Sequence, residues 1–233
     1  LVMGSHFPYR HYGKCGMEMS ELLPHVGSCA DQMTLIRSMY TDQFDHAPAE
    51  ILFSTGTETP GRPSAGAWVL YGLGTESANL PGYVVLMTTR GPVSRSSTWG
   101  SGFLPTNYAG VLFNGQGEPV LNLSNPPGIT PELQRAQIET VKRLNRRQFE
   151  AQLDPEINSR IASYELAFRM QMAAPELIDL DSETPATHAA YGSNRAGESG
   201  SFAQNCLLAR RLVERGVRFV SIFHRKWDHH SKI

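Results

Sequence analysis

Apolar positions along the chain fall into two kinds of run. Met33 to Tyr40, Tyr83 to Met87 and Val217 to Phe223 are short and mostly apolar, the signature of buried strands. Elsewhere apolar residues recur at helical spacing. Ile157, Ile161, Tyr164, Phe168 and Met172 follow at steps of four, three, four and four, one face of a helix. That helix opens at Asp154-Pro155-Glu156, a cap with proline in the first turn, and should end at Pro175. Phe202, Cys206, Ala209 and Leu212-Val213 mark another amphipathic helix, closed by Gly216. Thr130-Pro131-Glu132 repeats the start signal for a helix running to about Gln152. Shorter helices are expected over Ser20 to Ala30, over Pro48 to Thr55 with a stop at Gly56, and over Ala65 to Leu73 bounded by Gly74.

Between these elements lie stretches without period. Residues 88–128 are rich in Gly, Ser, Asn and Pro and read as a loop-rich insertion. Asp179 to Gly200 reads as a polar connection, and no internal repeat appears. Short apolar strands separated by helices predict an α/β fold. Its sheet should be mostly parallel and covered on both faces.

Composition narrows the function classes. The 233 residues carry 21 Lys+Arg against 22 Asp+Glu, a net charge of -1, which argues against nucleic-acid binding through bulk basic charge. At 40% hydrophobic residues the chain is too apolar for an acidic disordered segment. No apolar run approaches the ~20 residues of a membrane span. Three cysteines with no close pair exclude a disulfide scaffold or zinc ribbon.

The residues most able to carry chemistry follow the last strand: His224, Asp228, His229 and His230. Ligands of open α/β sheets gather beyond the carboxyl ends of strands. Carboxylate and imidazole suit zinc or manganese, and in an extended loop Asp228 and His230 point the same way. A solvated polar loop is the competing reading. Asp42, Asp45 and His46 form a second cluster after the expected strand Met33 to Tyr40, with an ordinary loop as its alternative. Arg95 among Ser94, Ser96, Ser97 and Thr98 could hold an oxyanion, although a flexible polar loop is the simpler reading. Cys206 is read as a small core residue, and Arg210, Arg211, Arg215 and Arg218 as the solvated face and end of a helix.

Several motifs, in one order along nearly the whole chain, resemble those of a family of sulfatase-like bacterial proteins filed as domain of unknown function 1501. They include Gly16-Met17-Glu18-Met19-Ser20-Glu21-Leu22-Leu23-Pro24-His25, Leu35-Ile36-Arg37-Ser38-Met39, Gly61-Arg62-Pro63-Ser64 and Trp99-Gly100-Ser101-Gly102-Phe103. Phe202-Ala203-Gln204-Asn205-Cys206 and Trp227-Asp228-His229-His230 complete the series. The resemblance implies an alkaline-phosphatase-like α/β/α sandwich, here incomplete. Residues 1–233 would be a single partial domain, truncated at both ends, from a longer periplasmic or exported protein. Asp228 and His230 fall on the family's Trp-Asp-x-His motif and would hold a divalent metal, zinc, manganese or calcium. His46 falls on an Asn-His-x-Pro motif, with Asp45 in place of Asn, and would line the pocket or assist catalysis.

The expected function is therefore part of a metal-dependent hydrolase of phosphate or sulfate esters, acting on a small-molecule or polysaccharide ester. The isolated piece is expected to be inactive because it lacks the nucleophile. The alternative is a non-catalytic binding or structural module on the same fold.

Overall fold

A computed structural model describes residues 4–88, 91–114, 125–195 and 197–224, with backbone alone at 172 and 197–200. The chain forms two units, Leu1–Asp42 and Gln43–Ile233.

In the first unit, strands β1 (Tyr9–Tyr12) and β2 (Met17–Ser20) pair antiparallel, with Tyr9 opposite Ser20 and Tyr12 opposite Met17. Gly13 (φ 67°) and Gly16 (φ 65°) bracket the turn in the left-handed region, which a Cβ disfavours. The Asp31 carboxylate accepts the backbone N–H groups of Lys14 at 3.0 Å and Cys15 at 2.8 Å. These bonds to its charged form hold the Asp31 carboxyl below the usual carboxylate range. The helix expected over Ser20 to Ala30 shrinks to a single turn, α1 (Pro24–Gly27), because Ser20 is taken by β2. The strand expected over Met33 to Tyr40 does not form. Leu35, Ile36, Met39 and Tyr40 are exposed, and no described strand pairs with the segment. An apolar run becomes a strand only where a neighbour satisfies its backbone groups.

The second unit is built on a three-stranded sheet of order β4-β3-β5, with β3 (Tyr83–Met87) in the centre. Strands β4 (Val111–Phe113) and β5 (Phe219–Phe223) both run parallel to it. Leu86 faces Phe113 on one side and Ile222 on the other. Side chains of β3 alternate between two cores, as the strand period requires. Val84 and Leu86 join Met170, Ala174, Leu177, Leu208 and Leu212 on one face. Tyr83 and Val85 join Leu70 and Trp99 on the other. The architecture is thus mixed α/β around a small parallel sheet with both faces covered.

The helices start and stop largely on the expected signals. Helix α2 (His46–Thr55) ends at Gly56, which is left-handed at φ 75°. Helix α3 (Ala65–Leu73) begins with the Ser64 hydroxyl accepting the Ala67 N–H and ends at Gly74. Thr130 caps α4 (Pro131–Gln152) and Asp154 caps α5 (Pro155–Ile178), each through its side chain. A Lys142–Glu165 ion pair links these two helices.

Four expectations need correction. Helix α5 runs through Pro175 to Ile178 rather than ending there, because fully buried Leu177 draws the last turn against the sheet. That burial, about 1.5–3 kcal/mol, offsets a missing N–H. The buried stripe of α5 is also rotated. Ile157 is buried as expected, but further along Met170, Ala174 and Leu177 meet the sheet, whereas Tyr164 is exposed. The polar connection after Asp179 contains a helix, α6 (Pro185–Tyr191), capped by Thr184 with the same Thr-Pro signal seen at residue 130. Finally, α7 (Gly197–Glu214) buries Ala203, Leu207, Leu208 and Leu212, leaving Cys206 half-buried and Val213 exposed. Within 88–128 the described residues form two short 3-10 turns, Arg95–Thr98 and Thr106–Tyr108, and the strand β4, whose three residues carry too little pattern to be recognised.

Candidate functional site

Each of the three parallel strands gives way to a polar residue at its carboxyl end: Met87 to Thr88, Phe113 to Asn114, and Phe223 to His224. This edge is where open parallel sheets bind ligands, since the loops leaving the strands converge there.

The β3 and β5 ends are tied together. The Thr88 N–H donates to the Phe223 carbonyl at 3.1 Å. The Thr88 hydroxyl lies 2.9 Å from His224 Nδ1 and 3.5 Å from the same Phe223 carbonyl. From α7, the Ser201 hydroxyl donates to the Thr88 carbonyl at 3.1 Å. The Phe202 ring packs on the His224 imidazole, 4.8 Å between centroids at 45°. On the opposite face Trp99 closes on Phe223 at 5.6 Å. One helical turn beyond Ser201, on the same side of α7, sits Asn205. Its side chain is 1% exposed and its amide Nδ2 has no hydrogen-bond partner. A buried donor left unsatisfied is costly, and such groups often mark a water or ligand position.

The expected site residues are only partly in view. Asp228, His229 and His230 lie outside the described residues. His224, four positions before Asp228, stands on the carboxyl edge. Among the described residues no three His, Cys, Asp or Glu side chains gather as a metal site. His46 is the first residue of α2 and is exposed. Its helix is fixed to the loop after β3: Glu50 accepts the N–H groups of Val93 at 3.1 Å and Ser94 at 2.9 Å, and the Ser94 hydroxyl donates to the Ala47 carbonyl at 2.7 Å. The loop considered for an oxyanion therefore already binds an anion of the protein itself, the Glu50 carboxylate.

Two other polar clusters are structural. The Ser193 hydroxyl is 2.7 Å from His188 Nδ1, the spacing of a nucleophile and its base. Ser193 is buried at 2% exposure, however, and the pair ties down the end of α6 rather than facing a substrate. Arg211, expected on a solvated face, is buried instead. Its guanidinium donates to Glu183 at 2.8 Å, to the Ser182 hydroxyl at 3.1 Å and to the Glu176 carbonyl at 2.7 Å. The Arg210 hydrogen bond, followed by that of Arg211, holds the Glu183 carboxyl below its usual range.

Sequence reading found His224 but missed Thr88, Asn114, Ser201 and Asn205. The available signal was a polar residue directly after each apolar strand, and β4 was too short to supply its share.

Fold and edge together define an α/β protein with a parallel sheet and a polar cluster at its carboxyl end. The family model described as "Protein of unknown function (DUF1501)" matches residues 1–233, and the chain belongs to that family. No curated protein and no solved structure matches it. No helix among the described residues is long and apolar enough to cross a membrane.

Proposed function

We propose that the chain is part of a metal-dependent hydrolase of phosphate or sulfate esters, on an alkaline-phosphatase-like α/β/α sandwich, with its site at the carboxyl edge of the sheet. The observation that supports this reading most is the convergence of Thr88 and His224 at the joined ends of β3 and β5, with Asp228 and His230 four and six residues further along the sequence. Substrates would be small-molecule or polysaccharide esters in a periplasmic or exported setting.

The donor chemistry fits zinc or manganese. Asp228 offers a carboxylate and His230 an imidazole. Calcium takes oxygen ligands and would find only the carboxylate of that pair. When bound, a divalent cation supplies polarisation of the ester oxygen and a lowered pKa for water. The chain's own contributions are more local. His224, oriented by Thr88 and Phe202, can take up or release a proton beside the ester. The Asn205 amide is a donor still without a partner, and His46 would line the approach.

A second reading, a non-catalytic binding module, draws support from exposed aromatic rings. Trp68, Tyr71 and Phe103 pack edge to face at 5.7 to 6.0 Å yet are about half exposed. Elemental analysis of the purified full-length protein that carries this chain separates the two. The hydrolase reading expects stoichiometric zinc or manganese in the wild type and its loss in Asp228→Ala combined with His230→Ala. The absence of metal from both proteins refutes the hydrolase reading and favours the binding module.

A further inference from the structure

Helix α4 is 22 residues long and buries none of them. One face lies on α5: Gln134, Ile138, Lys142, Asn145 and Phe149 are its half-buried positions, and Lys142 pairs there with Glu165. A second apolar stripe runs along the helix away from that face. Leu133, Val141 and Leu144 follow at steps of eight and three, with Ala136 and Thr140 between them. The three large side chains are 44%, 39% and 59% exposed. Apolar side chains aligned in this way form a contiguous patch, which marks an interaction surface.

The charges beside the stripe say what covers it. Two cations of α4 are engaged inside the hairpin: Arg135 stands over the Phe168 ring at 5.5 Å, and Lys142 meets Glu165. Among the described residues, no ion pair engages the other charged side chains of α4. Of these, Glu132 and Glu139 lie in the first half, and Arg143, Arg146 and Arg147 in the second, with Glu150 as the one acid near the end. A second copy of α4 laid antiparallel sets each negative half against a positive one, and two-fold symmetry repeats the match. A parallel copy would set like charges together, and an anionic surface would be repelled by the first half.

The register follows from the stripe. With Leu133 opposite Leu144 of the second copy, Ala136 meets its Val141. At about 100° per residue, Glu132, Arg143 and Arg147 fall on one side of the stripe. Arg143 lies along it, donating to the Thr140 hydroxyl at 3.3 Å. Antiparallel helices meet same flank to same flank, so Glu132 faces Arg143 and Arg147 of the second copy.

We propose that α4 is a homodimer interface, in which two α4–α5 hairpins pack antiparallel through Leu133, Val141 and Leu144, with Glu132 of each copy paired to Arg143 and Arg147 of the other.

Sedimentation equilibrium of the full-length protein that carries this chain tests it. The wild type should be a dimer at micromolar concentration. Leu144→Asp should keep its helix content, because Leu144 is exposed, and become monomeric. Glu132→Arg should raise the dissociation constant about tenfold, since symmetry repeats each lost pair. Adding Arg143→Glu and Arg147→Glu to that variant should bring it back to within about threefold of wild type. A monomeric wild type overturns the proposal. Slow maleimide labelling of Leu144→Cys would then assign the stripe to the rest of the polypeptide, and binding to phosphatidylserine vesicles would assign it to a membrane surface. A dimer that survives Leu144→Asp also overturns it, because its interface lies elsewhere. A triple variant that dimerises no better than Glu132→Arg overturns the antiparallel pairing.

Discussion

Helix α3 offers one chemical change at two positions where the surroundings predict opposite signs. Gly66 and Gly72 both lie in α3. A methyl group on Gly66 would sit 2.5 and 2.6 Å from the Tyr83 ring and 2.8 Å from the Phe219 ring, closer than carbon atoms pack. Neither ring can yield cheaply. Tyr83 is 2% exposed, its hydroxyl is 3.2 Å from the Ser221 hydroxyl, and its ring meets Phe219 edge to face at 5.2 Å. Relief must come from moving α3 off the sheet. Overpacking of this kind costs about 1–3 kcal/mol. The helix-propensity gain of Gly→Ala offsets about 1 kcal/mol at most. The net expectation for Gly66→Ala is a loss of up to about 2 kcal/mol. Around Gly72 nothing lies within 4 Å of the added Cβ. Gly72→Ala should therefore keep the propensity term and gain about 0.5–1 kcal/mol. Urea denaturation reads both. With a slope near 3 kcal/mol/M, Gly66→Ala should lower the midpoint by up to roughly 0.7 M and Gly72→Ala should raise it by roughly 0.2–0.3 M. Equal midpoints for the two variants would refute the claim that α3 packs its N-terminal turn directly on the Tyr83 and Phe219 rings.

Two further outcomes follow from the charged and thiol groups. Asp31 has its pKa lowered by the Lys14 and Cys15 N–H groups, so its contribution is present above the ordinary carboxylate range and lost as pH falls through the depressed value. Hydrogen exchange at Lys14 and Cys15 should be faster in Asp31→Ala than in wild type near neutral pH. That difference should close only in acid, and one that persists unchanged there would count against the carboxylate as its source. Burial raises the Cys206 thiol pKa, while Cys15 and Cys29 are exposed. An aromatic disulfide reagent at mildly alkaline pH should label Cys15 and Cys29 quickly and Cys206 slowly, as followed by peptide mass spectrometry. Equal rates would contradict the half-buried placement of Cys206 on α7.

Local chemistry alone determined much of this protein. Thr130-Pro131 and Asp154-Pro155 start helices because their side chains satisfy free N–H groups and proline needs no partner there. Gly56 ends α2 because the left-handed turn it makes favours a residue without Cβ. Tyr83–Met87 is a strand in both readings, since an unbroken apolar run of that length suits the centre of a parallel sheet. His224 could be singled out as a polar residue leaving a short apolar strand, although β5 proves half-buried rather than buried. Other features depended on partners distant in sequence. Met33 to Tyr40 resembles a strand but finds no described neighbour to pair with. Pro175 looks like a terminator until Leu177 finds its place against the sheet. Arg211 looks solvated until Glu183, Ser182 and Glu176 surround its guanidinium. The link between Thr88 and His224 spans 136 residues. Periodicity and capping act within a few residues, whereas strand pairing, burial and hydrogen bonds across the sheet exist only once distant segments have met.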